Sequence, residues 1–502
     1  MSELENLHNP ETSDTSYDHV LKYTGIFGGV QGLKMLVSAV RMKFTAVILG
    51  GTGIGLISVY TKISDVINNA NLGIPLNATR KTGELFENGT EEQIKHQVMV
   101  IRTWVLWTAL LSVLICLFFS PVISYYFFKQ DWTRWPEVMP ISLVTVSNII
   151  AEGECAILKG LRQVRKVAVI ETILAIGTLF CTIPLYYLLG LRGVILGLIA
   201  LGFLSAFVHF SFSLRLVSYK VRLLSQEVFR DGLPLIMVGI PYMLAGVANT
   251  VLQLAIPFII LVHHTIADVG HYQAGWALMI GYSGIVFLAL ESDYFPRLSS
   301  VNNDTLRMND TINKQIDVCT LILTPFLILL VMFMPYVLRL LYEEEFLVVT
   351  GMATITVFYT FLRGMSLPMG YSILAKGHGL AFLALEVCYD GLFALLFWWS
   401  FNAFGLIGAG AAFSIAALYD VVVYFIFCHF CYGFVFRRNT LLFCIGQFIC
   451  LIMAVEYCFL VSPNNEQKYT IGGIAFVVSS ALSLYQLLHH SDFAKRLVKR
   501  FQ

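Results

Sequence analysis

Two basic residues, Lys34 and Arg41, interrupt an apolar stretch from Tyr23 to Leu49 that is long enough to cross a lipid bilayer. They are seven residues apart, so in an α-helix they lie within about 20° of each other around its axis. A charge at bilayer depth costs roughly 2.5–3.5 kcal/mol on insertion scales, so such residues face protein or water and meet an opposite charge. An ammonium beside a guanidinium suits a diphosphate, since the first is a point charge and the second donates two parallel hydrogen bonds. The pair therefore predicts a binding surface for an acidic ligand.

Other polar residues extend this surface or compete with it. Gln31 and Ser38 share the face of Lys34, and on the next apolar segment Lys62 is followed three residues later by Asp65. Lys62 is interpreted as a ligand contact and Asp65 as a coupling or gating residue, although the two could equally neutralise each other. Lys34 and Arg41 could also pair with acids inside the protein, such as Asp65 or a residue further along the chain.

Two acids precede Pro296 in the sequence Glu-Ser-Asp-Tyr-Phe-Pro, namely Glu291 and Asp293. Pro296 should end its helix near the cytoplasmic surface, because proline cannot continue the hydrogen-bond ladder. Glu291 is therefore also a candidate internal partner for Lys34. Glu291 and Asp293 are candidate gating residues, with a structural contact to Arg297 as the alternative.

The composition identifies a membrane protein. Of 502 residues, 57% are hydrophobic and 13% are charged, against roughly 25% charged in soluble domains. About fourteen apolar stretches recur along the chain, each able to form a helix across the bilayer, and the second is predicted over 56–78. The predicted fold class is an all-α integral membrane protein of about 14 transmembrane helices.

Charge placement predicts the orientation. Most of the 33 Lys and Arg residues fall on the side of the N-terminus, so the positive-inside rule places both termini in the cytoplasm. The ten Cys residues lie scattered through apolar stretches without metal-binding spacing. We expect no metal site, no cofactor and no nucleic-acid partner, with proton or sodium coupling as the open option.

An internal repeat with an offset near 215 residues organises the chain. The landmarks are Gly55 with Gly270, Pro121 with Pro335, Gly160 with Gly377, and GLRGVILG at 190–197 with GLIGAGAA at 405–412. Each repeat holds six spans, so the halves share one orientation, as in two-lobed transporters that bind substrate between lobes and expose it alternately to each side. The predicted segments are a cytoplasmic tail at 1–22, an N-lobe at 23–225, a C-lobe at 226–436, two further helices at 437–490 and a basic tail at 491–502.

The repeat assigns the second wall of the predicted cavity. Adding the offset to Lys34 and Ser38 gives Asn249 and Gln253, which are polar but uncharged. A cavity with one cationic and one hydrogen-bonding wall suits a large ligand with an acidic head and a hydroxyl-rich body.

Several other charged residues have weaker assignments. Glu171 and Glu386 are 215 residues apart, which predicts a shared structural role. Arg363, Asp390 and Asp420 are expected to form ion pairs within the second lobe. Glu152 and Glu154 cannot both face one side of their helix, and the sequence alone gives no reason for them.

Four segments resemble one family of transporters. They are residues 21–60 (LKYTGIFGGVQGLKMLVSAVRMKFTAVILGGTGIGLISVY), ESDYFPRLS at 291–299, LYEEEF at 341–346 and GLIGA at 405–409. Together they resemble the Wzx-type polysaccharide-unit translocases, the O-antigen flippases of the multidrug/oligosaccharidyl-lipid/polysaccharide (MOP) exporter superfamily.

The resemblance implies a transporter, not an enzyme. It implies two six-helix lobes with helices 1, 2, 7 and 8 around a central cavity, and movement of undecaprenyl-diphosphate-linked glycans from the cytoplasmic to the periplasmic leaflet of the bacterial inner membrane. Membrane lipids and the polysaccharide polymerase machinery are the implied partners. Similar flippases for peptidoglycan precursor line the cavity with basic residues of helices 1, 2 and 8. Lys34, Arg41 and Lys62 match this on helices 1 and 2, whereas helix 8 offers only His271, Gln273 and Tyr282.

Two alternative functions remain open. A cation-coupled multidrug exporter would share the architecture, but many of its substrates are organic cations, which a basic stripe disfavours. A membrane polysaccharide polymerase or glycosyltransferase would need a sizeable extramembrane loop with catalytic residues, whereas the predicted outer loops are short.

Overall fold

Helices account for nearly all of the described backbone. The computed structural model describes residues 17–127, 132–223, 225–281, 284, 287, 294–295, 297–301, 304–457 and 465–490. The chain divides into two compact units, Met1–Gly270 and His271–Gln502.

The first unit is built around a long N-terminal helix. Its helices are α1 (Tyr17–Asn68), α2 (Ile74–Asn88), α3 (Glu91–Phe127), the short α4 (Trp135–Val138), α5 (Ile141–Gly160), α6 (Val164–Leu189), α7 (Gly193–Leu214), α8 (Gln226–His263) and the start of α9 (Ile266–Trp276). Helix α1 packs against α5, α6 and α8, while α5 also packs against α2, α3 and α7. The predicted lobe boundary at 226 stays a prediction, although α8 packs with the first unit.

The second unit continues from within α9. Its helices are α10 (Thr305–Leu341), α11 (Thr350–Ala375), α12 (Gly379–Tyr432), α13 (Arg438–Val455) and α14 (Asn465–His490). Helix α11 packs against α10 and α12, and the last two helices pack against each other and against α10.

The lengths of the apolar helices agree with the predicted number of spans. Nine segments in the described part of the chain are long and apolar enough to cross a membrane, and three of them contain 40, 50 and 54 residues. About 20 residues suffice for one crossing, so each of these three can cross twice. Each contains a glycine of positive φ, Gly50, Gly190 or Gly405, at which the helix breaks. Helix α8 and the segment beginning at α9, part of which lies outside the described residues, correspond to the other two of the fourteen spans.

The second predicted span ends early, which corrects its boundary. Helix α1 stops at Asn68, and α2 begins at Ile74 as a separate helix. Leu72 and Gly73 both have positive φ, and Pro75 follows at the start of α2. A proline lacks the amide that would continue the helix, so the chain must start a new one here.

The repeat is visible in two helical corners of closely similar geometry. Gly190 has φ 56° and ψ −134°, and Gly405 has φ 59° and ψ −137°. Three residues on, a Cβ at Gly193 would lie 2.2 Å from the carbonyl oxygen of Leu185, and one at Gly408 would lie 1.9 Å from that of Ser400. Both corners therefore need glycine at both positions, for backbone conformation at the first and for close approach at the second.

A third corner corrects one of the repeat landmarks. The residues of positive φ after α5 and α11 are Arg162 and Gly377, which are 215 apart. Gly377 therefore corresponds to Arg162 and not to Gly160, whose offset of 217 came from matching Lys-Gly pairs. A non-glycine residue can adopt this conformation at modest cost, which hides the correspondence in the sequence.

The outer surface of the helices is apolar. Large hydrophobic side chains on several helices are strongly exposed, including Phe180 at 75% and Phe430 at 81%. Such extended apolar exposure is unfavourable in water and is expected where helices face lipid. The molecule is a multi-pass membrane protein, which confirms the predicted fold class.

Candidate functional site: a polar seam along the first helix

Helix α1 carries a row of polar residues that contact three other helices of the first unit. Gly50, with φ 62° and ψ −165°, divides α1 into a first half that holds Lys34 and Arg41 and a second half that holds Lys62 and Asp65. The row is called the polar seam below and consists of the polar side chains of α1 together with their partners on α5, α6 and α8.

Lys34 forms an ion pair in the first half of the seam. Its Nζ lies 2.6 Å from Oε2 of Glu171 on α6, and the two side chains remain 39% and 30% exposed. The alternative of an internal acid is thus realised, but with an acid other than those suggested by the sequence. Because both groups are partly exposed, the pair is open to competition from another anion.

Arg41 has a different environment one helical repeat further along. Its side chain is half-buried, and within the described residues it has no carboxylate partner. Its backbone carbonyl accepts a hydrogen bond from Oγ1 of Thr45 at 2.8 Å. The guanidinium therefore brings a positive charge into the seam that the described acids do not directly neutralise.

In the second half of α1, hydrogen bonds tie the seam to α8. Lys62 donates to Oε1 of Gln253, and Nδ2 of Asn69 lies 2.9 Å from Oγ1 of Thr250. Lys62 and Asn69 are seven residues apart and so share one face of α1, as Thr250 and Gln253 share one face of α8. The predicted residues Lys62 and Gln253 are thus in direct contact.

Glu152 closes the far end of the seam. Its two carboxylate oxygens accept hydrogen bonds from Nδ2 of Asn68 at 2.7 Å and Nδ2 of Asn71 at 2.9 Å. Two residues on, Glu154 points to α3 and accepts from Nε and Nη2 of Arg102 at 2.8 and 3.0 Å. The two glutamates thus face opposite neighbours of α5, which explains the pair that the sequence left without a role.

The remaining predicted residues are only partly described. Ser38 and Asp65 are half-buried on α1, and Asp65 interacts electrostatically with Lys62. The side chains of Gln31 and Asn249 lie outside the described part of the structure, as do Glu291 and Asp293 altogether.

A second charged cluster lies inside the second unit. Arg363 on α11 contacts two carboxylates of α12, with Nη1 2.6 Å from Oδ2 of Asp420 and Nη2 3.7 Å from Oε1 of Glu386. Oη of Tyr424 donates to the same Glu386 oxygen at 2.6 Å. The expected pairing of Arg363 within its lobe is confirmed for Asp420, while its contact with Glu386 was missed. The signal was available, since Glu386 lies one repeat offset from Glu171 and each pairs with a basic residue of its own unit.

The helical pairs, the glycine corners and the polar seam define a multi-pass membrane protein with the architecture of a two-repeat transporter. Residues 89–350 match the family model described as "Polysaccharide biosynthesis protein", so the chain belongs to that family. No curated protein matches the sequence.

Solved structures with the same fold are transporters of the MOP superfamily. The lipid II flippase MurJ in an inward closed conformation superposes with a TM-score of 0.67 at 14% identity, covering 95% of this chain and 100% of MurJ. An inward-facing multidrug resistance MATE family transporter of the MOP superfamily gives 0.60 at 13% identity, covering 79% and 94%. The MATE multidrug transporter DinF-BH gives 0.51 at 16% identity, covering 80% and 93%. The fold is thus that of the predicted superfamily.

Proposed function

We propose that the protein is a Wzx-type flippase that moves undecaprenyl-diphosphate-linked oligosaccharide units from the cytoplasmic to the periplasmic leaflet of a bacterial inner membrane. The family match to polysaccharide biosynthesis and the fold shared with a lipid II flippase support this class. The lipid tail of the cargo stays in the bilayer while its diphosphate and sugars cross by alternating access.

The observation that carries the proposal is the charge of the seam. Arg41 brings a guanidinium to bilayer depth without a described carboxylate partner, and Lys34 holds its carboxylate in a partly exposed pair. A diphosphate that reaches the seam can meet Arg41 at once and take Lys34 from Glu171. Lys62, Gln31, Ser38, Asn249 and Gln253 complete the proposed binding surface as hydrogen-bond donors and acceptors.

Glu171 supplies a means of release. Binding that is too strong would trap the cargo, because a transporter must bind the same headgroup and then let it go. The carboxylate of Glu171 competes with the diphosphate for Lys34 and re-forms the ion pair when the cargo leaves. The resting pair thus lowers the net affinity of the seam without removing its charge.

The charged cluster of the second unit is the proposed coupling site. Arg363 brings one positive charge, while Asp420, Glu386 and Asp390 bring three carboxyl groups on α12. Excess carboxyl groups at bilayer depth favour uptake of a proton or a sodium ion. Asp65, Glu291 and Asp293 are further candidates for coupling or gating.

The two alternatives are less well supported. A MATE-type drug exporter has the same fold, but a seam whose only described unpaired charge is the cation Arg41 disfavours cationic drugs. A polymerase or glycosyltransferase would use catalytic groups outside the membrane, whereas the charged residues of the seam lie within apolar helices.

Loss of the protein tests the function directly. We expect a deletion strain to accumulate lipid-linked repeat units on the cytoplasmic leaflet, where they stay protected from probes added to the periplasm. Units that reach the periplasm but remain unpolymerised would instead identify an enzyme of the next step. In the same strain, the double variant Lys34→Ala/Arg41→Ala should insert into the membrane normally and fail to restore glycan export.

A further inference from the structure

A cavity of about 320 Å³ lies in the first unit between α3, α5 and α7. Its walls are largely hydrocarbon and aromatic: Val105, Val146, Ile150, Phe203, Phe207 and Phe210. For scale, an engineered apolar cavity of about 150 Å³ stays dry and binds benzene. Phe207 at the wall is 69% exposed on the apolar outer surface. The cavity can therefore take a segment of one hydrocarbon chain from the surrounding lipid.

One end of the cavity is closed by the ion pair of Arg102 and Glu154. Besides its two bonds to Glu154, Arg102 donates to the carbonyl oxygens of Val217 and Ser218 at 3.3 and 3.1 Å and to Oγ of Ser213 at 3.0 Å. All five guanidinium N–H groups are thus used, and both charged side chains are buried. Arg102 is therefore a structural clamp and has no donor left for a ligand.

The clamp holds a loop, residues 215–223, at the mouth of the cavity. Oγ1 of Thr103 accepts from the amide of Arg222 at 3.3 Å, and Nε1 of Trp107 donates to the carbonyl oxygen of Leu223 at 3.3 Å. Tyr219 lines the cavity, and its ring lies 5.2 Å from the guanidinium carbon of Arg102. The loop is thus fixed to α3 at several points.

The same loop carries three exposed basic side chains, Arg215, Lys220 and Arg222. None of the three has a carboxylate partner in the described part of the chain, and Arg215 lies over the ring of Phe212 at 5.6 Å. Together with Tyr219 they form a cationic, amphipathic rim beside a hydrocarbon cavity. Basic pockets between transmembrane helices on the cytoplasmic side are suited to anionic lipid headgroups.

We propose that this cavity binds an anionic glycerophospholipid, with one acyl chain between α3, α5 and α7 and its phosphate against Arg215, Lys220 and Arg222. The site is separate from the polar seam, because Glu152 turns to α1 while Glu154 turns to α3 on the other side of α5. The occupant is a resident lipid of the membrane and not the translocated cargo. It seals the outer face of the first unit beside the buried clamp.

Binding of phosphatidylglycerol and phosphatidylcholine to the purified full-length protein, followed by native mass spectrometry, tests the proposal. Each basic residue near a membrane surface contributes roughly fivefold to the binding of anionic lipid, so we expect phosphatidylglycerol to bind about a hundredfold more tightly. The variant Arg215→Gln/Lys220→Gln/Arg222→Gln should lose this preference. The matched control Arg165→Gln/Arg230→Gln/Arg438→Gln removes the same charge from exposed positions elsewhere and should retain it.

A second variant tests the cavity itself. Ala206 lines the cavity, so Ala206→Phe should fill it and weaken both phospholipids while leaving the thermal unfolding temperature in detergent close to that of the parent. Equal affinity for the two phospholipids, or an unchanged preference in the loop variant, would overturn the proposal. Displacement of phosphatidylglycerol by stoichiometric undecaprenyl diphosphate, lost in Ala206→Phe, would also overturn it by making the cargo the occupant.

Discussion

The ammonium of Lys34 lies 2.6 Å from the carboxylate of Glu171, across 137 residues of sequence and between two different helices. Both side chains are partly exposed, so the pair resembles a surface ion pair more than a buried one. Exposed pairs contribute about 0.2–1 kcal/mol, which means that its removal should hardly affect folding. Its consequence for function is larger, since Glu171 sets how strongly Lys34 can hold another anion.

The first prediction concerns the competition between Glu171 and the cargo. Glu171→Gln removes the internal anion but keeps the shape of the side chain, so the seam should bind a lipid diphosphate more tightly and release it more slowly. We expect undecaprenyl diphosphate to bind the purified variant about 3- to 10-fold more tightly, with glycan export reduced in cells. Gln273, an uncharged residue of the second unit, offers a control in Gln273→Ala. Weaker diphosphate binding by Glu171→Gln would contradict the competition.

The second prediction separates the charge of Arg41 from its geometry. Arg41→Lys keeps the positive charge but loses the planar pair of donors, so export should fall partially, whereas Arg41→Ala should abolish it. Neither change should lower stability greatly, because the guanidinium has no carboxylate partner among the described residues. Export rates of both variants, normalised to the amount of protein in the membrane, measure the effect. Equal export by Arg41→Ala and the parent would exclude a role for this residue.

The third prediction concerns the buried clamp. Arg102 and Glu154 are only 3% and 4% exposed, and removing one partner leaves the other as a buried uncompensated charge. Arg102→Met should therefore destabilise the first unit by about 3–5 kcal/mol, and Glu154→Gln by a smaller amount because it keeps an acceptor for the guanidinium. Thermal unfolding in detergent provides the measurement. The exposed pair Arg80–Glu84, 3.0 Å apart, supplies the control, since Arg80→Met should change stability by less than about 1 kcal/mol.

The fourth prediction concerns the glycines at the repeated corners. Gly193→Ala and Gly408→Ala would each place a Cβ within 2.2 Å of a backbone carbonyl oxygen, which cannot move aside as a flexible side chain can. Each change should destabilise the protein by about 1–3 kcal/mol or more. Gly391→Ala is the matched control on α12, because no neighbouring atom lies within 4 Å of its Cβ position. Similar stability of all three variants would mean that the two corners can relax.

These corners show what the sequence could predict. Gly190 and Gly405, 215 residues apart, revealed the repeat because a sharp corner of positive φ strongly prefers glycine, and such a preference is visible in a single chain. Helix lengths were predictable for a similar reason, since the bilayer fixes the length of an apolar run. The end of the second span was not, because Gly73 and Pro75 stop the helix within a stretch whose hydropathy continues.

The partners of the charged residues could not be predicted in the same way. Glu171 lies on α6 and Glu152 on α5, and which of them meets α1 at a given depth depends on the packing of three helices. The sequence restricts each charge to a face of its own helix but leaves the neighbouring helix open. The seam could therefore be located on α1, while its neutralising and hydrogen-bonding partners required the structure.

The last prediction concerns energy coupling in the second unit. Glu386 contacts Arg363 and accepts a hydrogen bond from Tyr424, so Glu386→Gln keeps an acceptor but removes one negative charge from the cluster. If the cluster takes up a proton or a sodium ion, the variant should still bind the cargo but lose its response to an imposed gradient of that ion. Export into vesicles under separate pH and sodium gradients distinguishes the two ions. Tyr424→Phe removes only the hydrogen bond and should keep the gradient response, because the carboxyl groups that exchange the ion all remain.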